Sequence, residues 1–279
     1  ASYFNDNIAP ERLLRYLEAS TGERIIPGET LIIFDEIQSS ERALTALKYF
    51  CEETPEYHIA AAGSLLGVAI NRQHYSFPVG KVETLTLYPL DFEEYLGARS
   101  QKLLSEEIRR AYEKMEPLPD ALHQKAIELY REYLLIGVMP ACINAFLKSG
   151  SFLDVPLVQN EILDNYIADM AKYASNTDSV KIRACYNSIP AQLAKDNKKF
   201  QYKVVQKGGS AALFGASIEW LNLAGVVLKC QRINQAIEPI AVYTDLSAFK
   251  LYMGDVGLLT MKSGLSQQTV LSGEGNTFM

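Results

Sequence analysis

The stretch Leu-Ile-Ile-Phe-Asp-Glu-Ile-Gln at residues 31–38 constrains the fold more than any other part of the chain. Four consecutive apolar residues are too few for a buried helix and predict a central parallel strand covered on both faces. Asp35 and Glu36 follow at once. In an open α/β sheet, ligands bind beyond the carboxyl ends of the strands, so this acidic pair is aimed at the place where chemistry occurs. Nucleotide hydrolysis uses such a pair: the first carboxylate anchors Mg²⁺ and its waters, and the second orients or deprotonates the attacking water. A solvated strand-to-helix corner, with Ser39 or Ser40 capping the next helix, has the same appearance.

The surrounding pattern extends the α/β reading. Residues 8–17 carry apolar side chains at helical spacing, with Pro10 near the start. Residues 42–51 predict a second helix with Ala43, Leu44, Leu47 and Phe50 on one face. Residues 57–62 predict a second buried strand ending in Gly63-Ser64, and residues 82–87 a third. Strand, helix and strand with short connections begin a βαβ layer. If the first two strands are neighbours, Ser64 emerges beside Asp35 and Glu36, where a hydroxyl senses a γ-phosphate or holds the lytic water. Gly63-Ser64 reads equally well as a turn and helix cap. Arg72 and Lys81 are candidates for the cation that stabilises phosphoryl transfer, from the same or a neighbouring subunit. Each also suits an ordinary solvent-facing position.

Asp91 and Glu94 have the spacing of a capping box, and amphipathic helical patterning runs from there to about residue 173. Breaks fall near residues 117–119, 137–140 and 150–156. Beyond residue 178 two helices (180–188 and 189–194), a short extended run (203–206) and a helix (211–223) precede strands at 226–233 and 249–253. Helix, helix, helix and β-ribbon is the order of a winged helix. The last third carries Lys198, Lys199, Lys203, Lys229 and Arg232, which are candidate nucleic-acid contacts.

Charge supports a division into modules. Residues 1–120 hold 12 Lys/Arg and 20 Asp/Glu, whereas residues 178–262 hold 11 and 6. No apolar run approaches the ~20 residues needed to span a bilayer. Four well-separated cysteines and three scattered histidines indicate neither a disulfide framework nor a zinc site, and a reducing cytoplasm is the expected setting. The sequence contains no G-x-x-x-x-G-K-[ST] to cradle phosphates.

Taken in order, LIIFDEIQ, AAAGSLLGVAI and SFPVGKVETLTLYPLDFEEYL resemble the prokaryotic AAA-type P-loop ATPases whose carboxyl half is the domain named DUF4143. YLLIGVMPACI, IPAQLAKDNKKFQY and FKLYMGDVGLL extend the resemblance across roughly residues 8–262. It implies that Asp35 and Glu36 are the Walker B acids, that Ser64 lies on the sensor strand, and that ATP and Mg²⁺ are the cofactors. A Gly-Arg commonly follows that strand in the family; here it is Gly80-Lys81, and lysine lacks arginine's bidentate geometry. The family's Walker A segment has no counterpart, so the chain reads as a fragment that would not hydrolyse ATP alone, or as a degenerate member.

The expected fold class is α/β, a partial P-loop NTPase parallel sheet with helices, followed by a helical region and a winged-helix-like α+β domain. The expected divisions are residues 1–90, 91–177, 178–262 and 263–279. The expected function is Mg²⁺-dependent ATP hydrolysis in the complete protein, coupled to a domain that contacts DNA or a protein, in a possible homo-oligomer. The alternative is a non-enzymatic DNA-binding or adaptor module built on a degenerate scaffold.

Overall fold

Apolar runs broken by turn residues produce the first strands. Strand β1 (Leu31–Phe34) pairs in parallel with β2 (His58–Ala61), in a register running from Leu31 opposite His58 to Phe34 opposite Ala61. These coordinates are a computed structural model, which describes residues 2–5, 7–64, 67, 68, 78 and 80–273. They separate into two compact units, residues 1–87 with 223–225, and residues 88–222 with the remainder.

In the first unit, α1 (Pro10–Thr21) and α2 (Glu41–Glu53) supply the apolar cover for the sheet. Ser40 starts α2: its hydroxyl accepts from the Ala43 amide at 3.3 Å, and its carbonyl accepts from the same amide at 3.1 Å. Leu13, Leu14, Ala43, Leu44, Ala46 and Phe50 bury against Ile32 and Ile37, and Phe4 meets Phe34 edge-on at 5.5 Å. This cover is one-sided. Because successive strand residues point to opposite faces, Ile32 is buried while Leu31 and Ile33 are 57% and 64% exposed. The expectation of a strand covered on both faces is therefore corrected: among the described residues the helices pack on one face only.

Residues 82–87, expected as a third strand, have no regular structure, and Leu85 and Leu87 are 87% and 98% exposed. Branched and large apolar residues favour a strand only where a neighbour completes the ladder, and none of the described residues pairs with this segment.

The second unit opens with the expected capping box. Asp91 Oδ1 accepts from the Glu94 amide at 2.8 Å, and Glu94 Oε2 accepts from the Asp91 amide at 2.9 Å. Helices α3 (Phe92–Ala98), α4 (Lys102–Lys114), α5 (Asp120–Ile136), α6 (Pro140–Ser149) and α7 (Val155–Tyr173) follow, interrupted where Pro and Gly fall in the sequence. Tyr95, Ile136, Cys142, Ile143, Phe146 and Val155 form their core. Burial pushes the Cys142 thiol up to about 12, which makes it packing rather than nucleophile.

Residues 180–194 form one helix where two were expected. α8 (Asn176–Leu193) runs through Pro190 because Ile182, Cys185, Tyr186, Ile189 and Leu193 bury as a continuous stripe. That burial outweighs the hydrogen bond lost at the proline. The expected extended run at 203–206 is instead a helical turn, α9 (Tyr202–Val205). The Gln192 side chain explains the difference: it accepts from the Gln201 amide at 3.0 Å and donates to its carbonyl at 2.9 Å, acting as the strand partner one residue earlier. After α10 (Ala211–Leu223), β3 (Val227–Ile233) pairs antiparallel with β4 (Thr244–Met253), with a bulge between Gln231 and Arg232. α11 (Val256–Lys262) and α12 (Gln267–Ser272) complete the unit. The class is mixed α/β, mostly helical with two small sheets.

One carboxylate stitches this unit together. Asp255 is 2% exposed and caps α11 by accepting from the Leu258 amide at 2.7 Å through Oδ1. Its Oδ2 accepts from the amides of Val138 at 2.7 Å and Met139 at 3.0 Å, just beyond α5. The geometry needs glycine twice: Gly137 has φ +84°, and a Cβ on Gly257 would overlap the Gly137 backbone. No helix of the described residues is long and apolar enough to cross a membrane.

Candidate active site

The two strands of the first unit end together. The Phe34 carbonyl accepts from the Ala62 amide at 2.8 Å, and the Ala62 carbonyl accepts from the Ile37 amide at 3.0 Å, so the pairing continues past both strand ends. Asp35 and Glu36 sit in the turn between β1 and a 3₁₀ turn at Ile37–Ser39, and both are exposed. Asp35 Oδ1 accepts from the Glu36 amide at 2.9 Å, a local bond that fixes the first carboxylate against its own backbone. Glu36 is left-handed at φ 52°, a conformation disfavoured outside glycine and concentrated at functional sites.

Glu36 is held by a neighbour. Its Oε2 accepts from Gln38 Nε2 at 2.5 Å, and Gln38 is buried. The Gln38 amide also fills the space a side chain on residue 63 would need. The glycine of Gly63-Ser64 is thus required for close approach, and the exposed Ser64 follows directly at the acid-bearing end of the sheet. Sequence reasoning did not single out Gln38; the only signal was a polar residue ending an otherwise apolar run.

The remaining candidates are dispersed. Arg72 lies outside the described residues. Lys81 Nζ pairs with Glu52 at 3.1 Å, in the last turn of α2. The acids precede the first turn of that 13-residue helix, which is roughly 20 Å long. In the second unit, Lys229 lies 3.8 Å from Glu219 and over the Phe249 ring at 5.1 Å. Lys199 and Arg232 both face Asp245, whose carboxyl is held below its usual range first by the Ser247 hydroxyl and amide and then by these cations. Lys203 is exposed on α9, and Lys198 lines a cavity.

As a metal site, Asp35 fits Mg²⁺, which takes one or two protein carboxylates and leaves its other positions to water and phosphate oxygens. The described residues offer no group of three or more His, Cys, Asp or Glu side chains that would cage a metal.

Residues 127–269, just over half of the chain, match the sequence model of a domain of unknown function, DUF8612. The chain belongs to the DUF8612 family. This corrects the expected DUF4143 for the carboxyl half, where the match is to DUF8612. Ahead of the DUF8612 region, residues 3–96 match an AAA domain, the stretch that contains Asp35, Glu36 and Ser64. The fold is similar to that of the Walker-type ATPase PABY2304 of Pyrococcus abyssi, with a TM-score of 0.51 and 14% identity over 90% of this DUF8612 chain and 66% of that chain. No curated protein matches. The comparisons support an AAA-type P-loop ATPase scaffold joined to a DUF8612 region.

Proposed function

We propose that Asp35 and Glu36 are the metal-anchoring and water-activating acids of an AAA-type ATPase, acting in a complete protein that also presents a phosphate-binding loop. One observation carries the reading: adjacent carboxylates crown a parallel strand inside the stretch that matches an AAA domain. Mg²⁺, when bound with nucleotide, supplies charge neutralisation to the phosphates. Asp35 would hold that ion; Glu36, steadied by Gln38, would take up the proton of the attacking water, and Ser64 would offer a hydroxyl at the same end of the sheet. The test is Asp35→Asn in the complete protein. The Mg²⁺ concentration giving half-maximal ATP hydrolysis should rise by about tenfold or more, the usual scale for weakening one ligand of a metal site. An unchanged Mg²⁺ requirement removes Asp35 from the metal.

The β3–β4 ribbon supports a protein partner rather than duplex DNA for the second unit. Residues 233–249 contain Glu238 and Asp245 but no Lys or Arg. Ile237, Ile240, Val242 and Leu246 are all exposed there. An exposed apolar ribbon tip with no cation of its own favours an apolar protein surface. Duplex DNA titrated into the protein at low salt should show no saturable binding. Saturable binding that weakens steeply with salt, and drops on charge reversal at Lys198, Lys199 and Lys229, reverses this assignment.

A further inference from the structure

The second unit contains a partly open cavity of about 420 Å³ that the ATPase reading does not use. Its size falls within the ~300–1,000 Å³ range of small-molecule sites. Leu134 of α5, Leu259 of α11 and Val270 of α12 form apolar wall, and the polar side chains on it include Tyr130, Lys198 and Tyr252. Among the described residues, no Asp or Glu lines it. Lys198 forms no ion pair with any of the described residues. The wall is not a loose helix end. Arg131 Nη1 donates to the Leu271 carbonyl at 3.3 Å, and its guanidinium occupies the space a side chain on Gly273 would need, which pins α12 to α5.

A largely apolar chamber whose one formal charge among the described residues is a half-buried ammonium is complementary to one ligand chemistry, a hydrocarbon body ending in an anion. We infer that this cavity binds a small amphipathic carboxylate, its hydrocarbon against Leu134, Leu259 and Val270 and its carboxylate at Lys198. Tyr130 and Tyr252, which line the same cavity, add phenol hydroxyls as neutral donors. The inference stands apart from nucleotide hydrolysis, since none of its residues belongs to the acid-bearing unit.

Decanoate and decanol, titrated separately into the intact protein by calorimetry below their aggregation limits, test it. Decanoate should bind saturably at one site per chain. Lys198→Met should weaken decanoate by about tenfold, the scale of one charge-assisted hydrogen bond, while leaving decanol within twofold. Leu259→Trp, which fills the chamber, should abolish both. Three results each overturn the assignment: no saturable decanoate binding, decanoate binding by Lys198→Met equal to the parent, or decanoate binding that survives Leu259→Trp. Lys198 is partly exposed and its methionine variant keeps the apolar stem, so the first comparison does not depend on tolerance of the larger substitution.

Discussion

Glu36→Gln is expected to leave ATP bound within about threefold of the parent affinity while turnover falls by about 10²–10⁴, the usual worth of a positioned base. The substitution preserves shape and removes only the ability to take a proton. The amide can turn its carbonyl toward Gln38 Nε2, so the tether that holds this side chain survives. The left-handed backbone at residue 36 is equally accessible to both residue types, and Asp35 keeps its bond to the residue 36 amide. Loss of turnover would therefore report chemistry rather than rearrangement. Single-turnover hydrolysis beside equilibrium nucleotide binding on the complete protein makes the measurement. Turnover within threefold of the parent would remove Glu36 from the reaction.

The largest stability effect is expected at Asp255. Asp255→Asn should destabilise the second unit by about 3 kcal/mol, and Asp255→Ala by as much or more. The Oδ2 atom accepts from two amides and Oδ1 from Leu258, with the Gly257 amide a further donor. Whichever way an asparagine is turned, its NH₂ meets an amide that needs an acceptor. Alanine leaves these buried donors without partners and adds a cavity. Burial pushes the Asp255 carboxyl upward, and the four amides pull it down by a smaller amount. With the folded value raised, the native state holds this proton more tightly than the unfolded chain does. The proton-linked part of this stability is then largest at low pH and declines as pH rises through the window above ordinary aspartate, while the amide bonds, which the ionised carboxylate accepts, keep the variants less stable than the parent at neutral pH. Thermal unfolding should show a loss of roughly 10 °C for the asparagine variant. A shift below 3 °C would mean that the carboxylate is not the unit's fastening.

The sequence made the acid-bearing end of the sheet readable because period and length act locally. Four apolar residues with carboxylates after them specify a strand end, and Ala61-Ala62-Gly63-Ser64 specifies its neighbour. The Asp91 capping box and the interruptions between α4 and α7 were readable for the same reason: caps, prolines and glycines act over a few residues. What failed depended on distant partners. Residues 82–87 have strand propensity, yet no described strand lies beside them. Residues 188 and 189 read as a boundary between two helices, but the buried stripe from Ile182 to Leu193 carries α8 through it and through Pro190. Gln38, Gln192 and Asp255 are ordinary polar residues in one dimension. Their roles exist only because Gly63, the Gln201 backbone and residues 138–139 are brought against them. The winged-helix expectation rested on element order, and the structure redraws those elements: the two expected helices at 180–194 are one and the expected extended run is α9, so order assigns neither that fold nor a function to Lys203 or Arg232.

The stitch at Asp255 also carries a schedule. The amides of Val138 and Met139 wait for an acceptor that lies 117 and 116 positions downstream. At ~5–20 residues per second of synthesis, that delay is on the order of ten seconds. Throughout it, the nascent helices lack the chain that closes them, so a ribosome pausing before Asp255 holds them open to holdase chaperones and proteases.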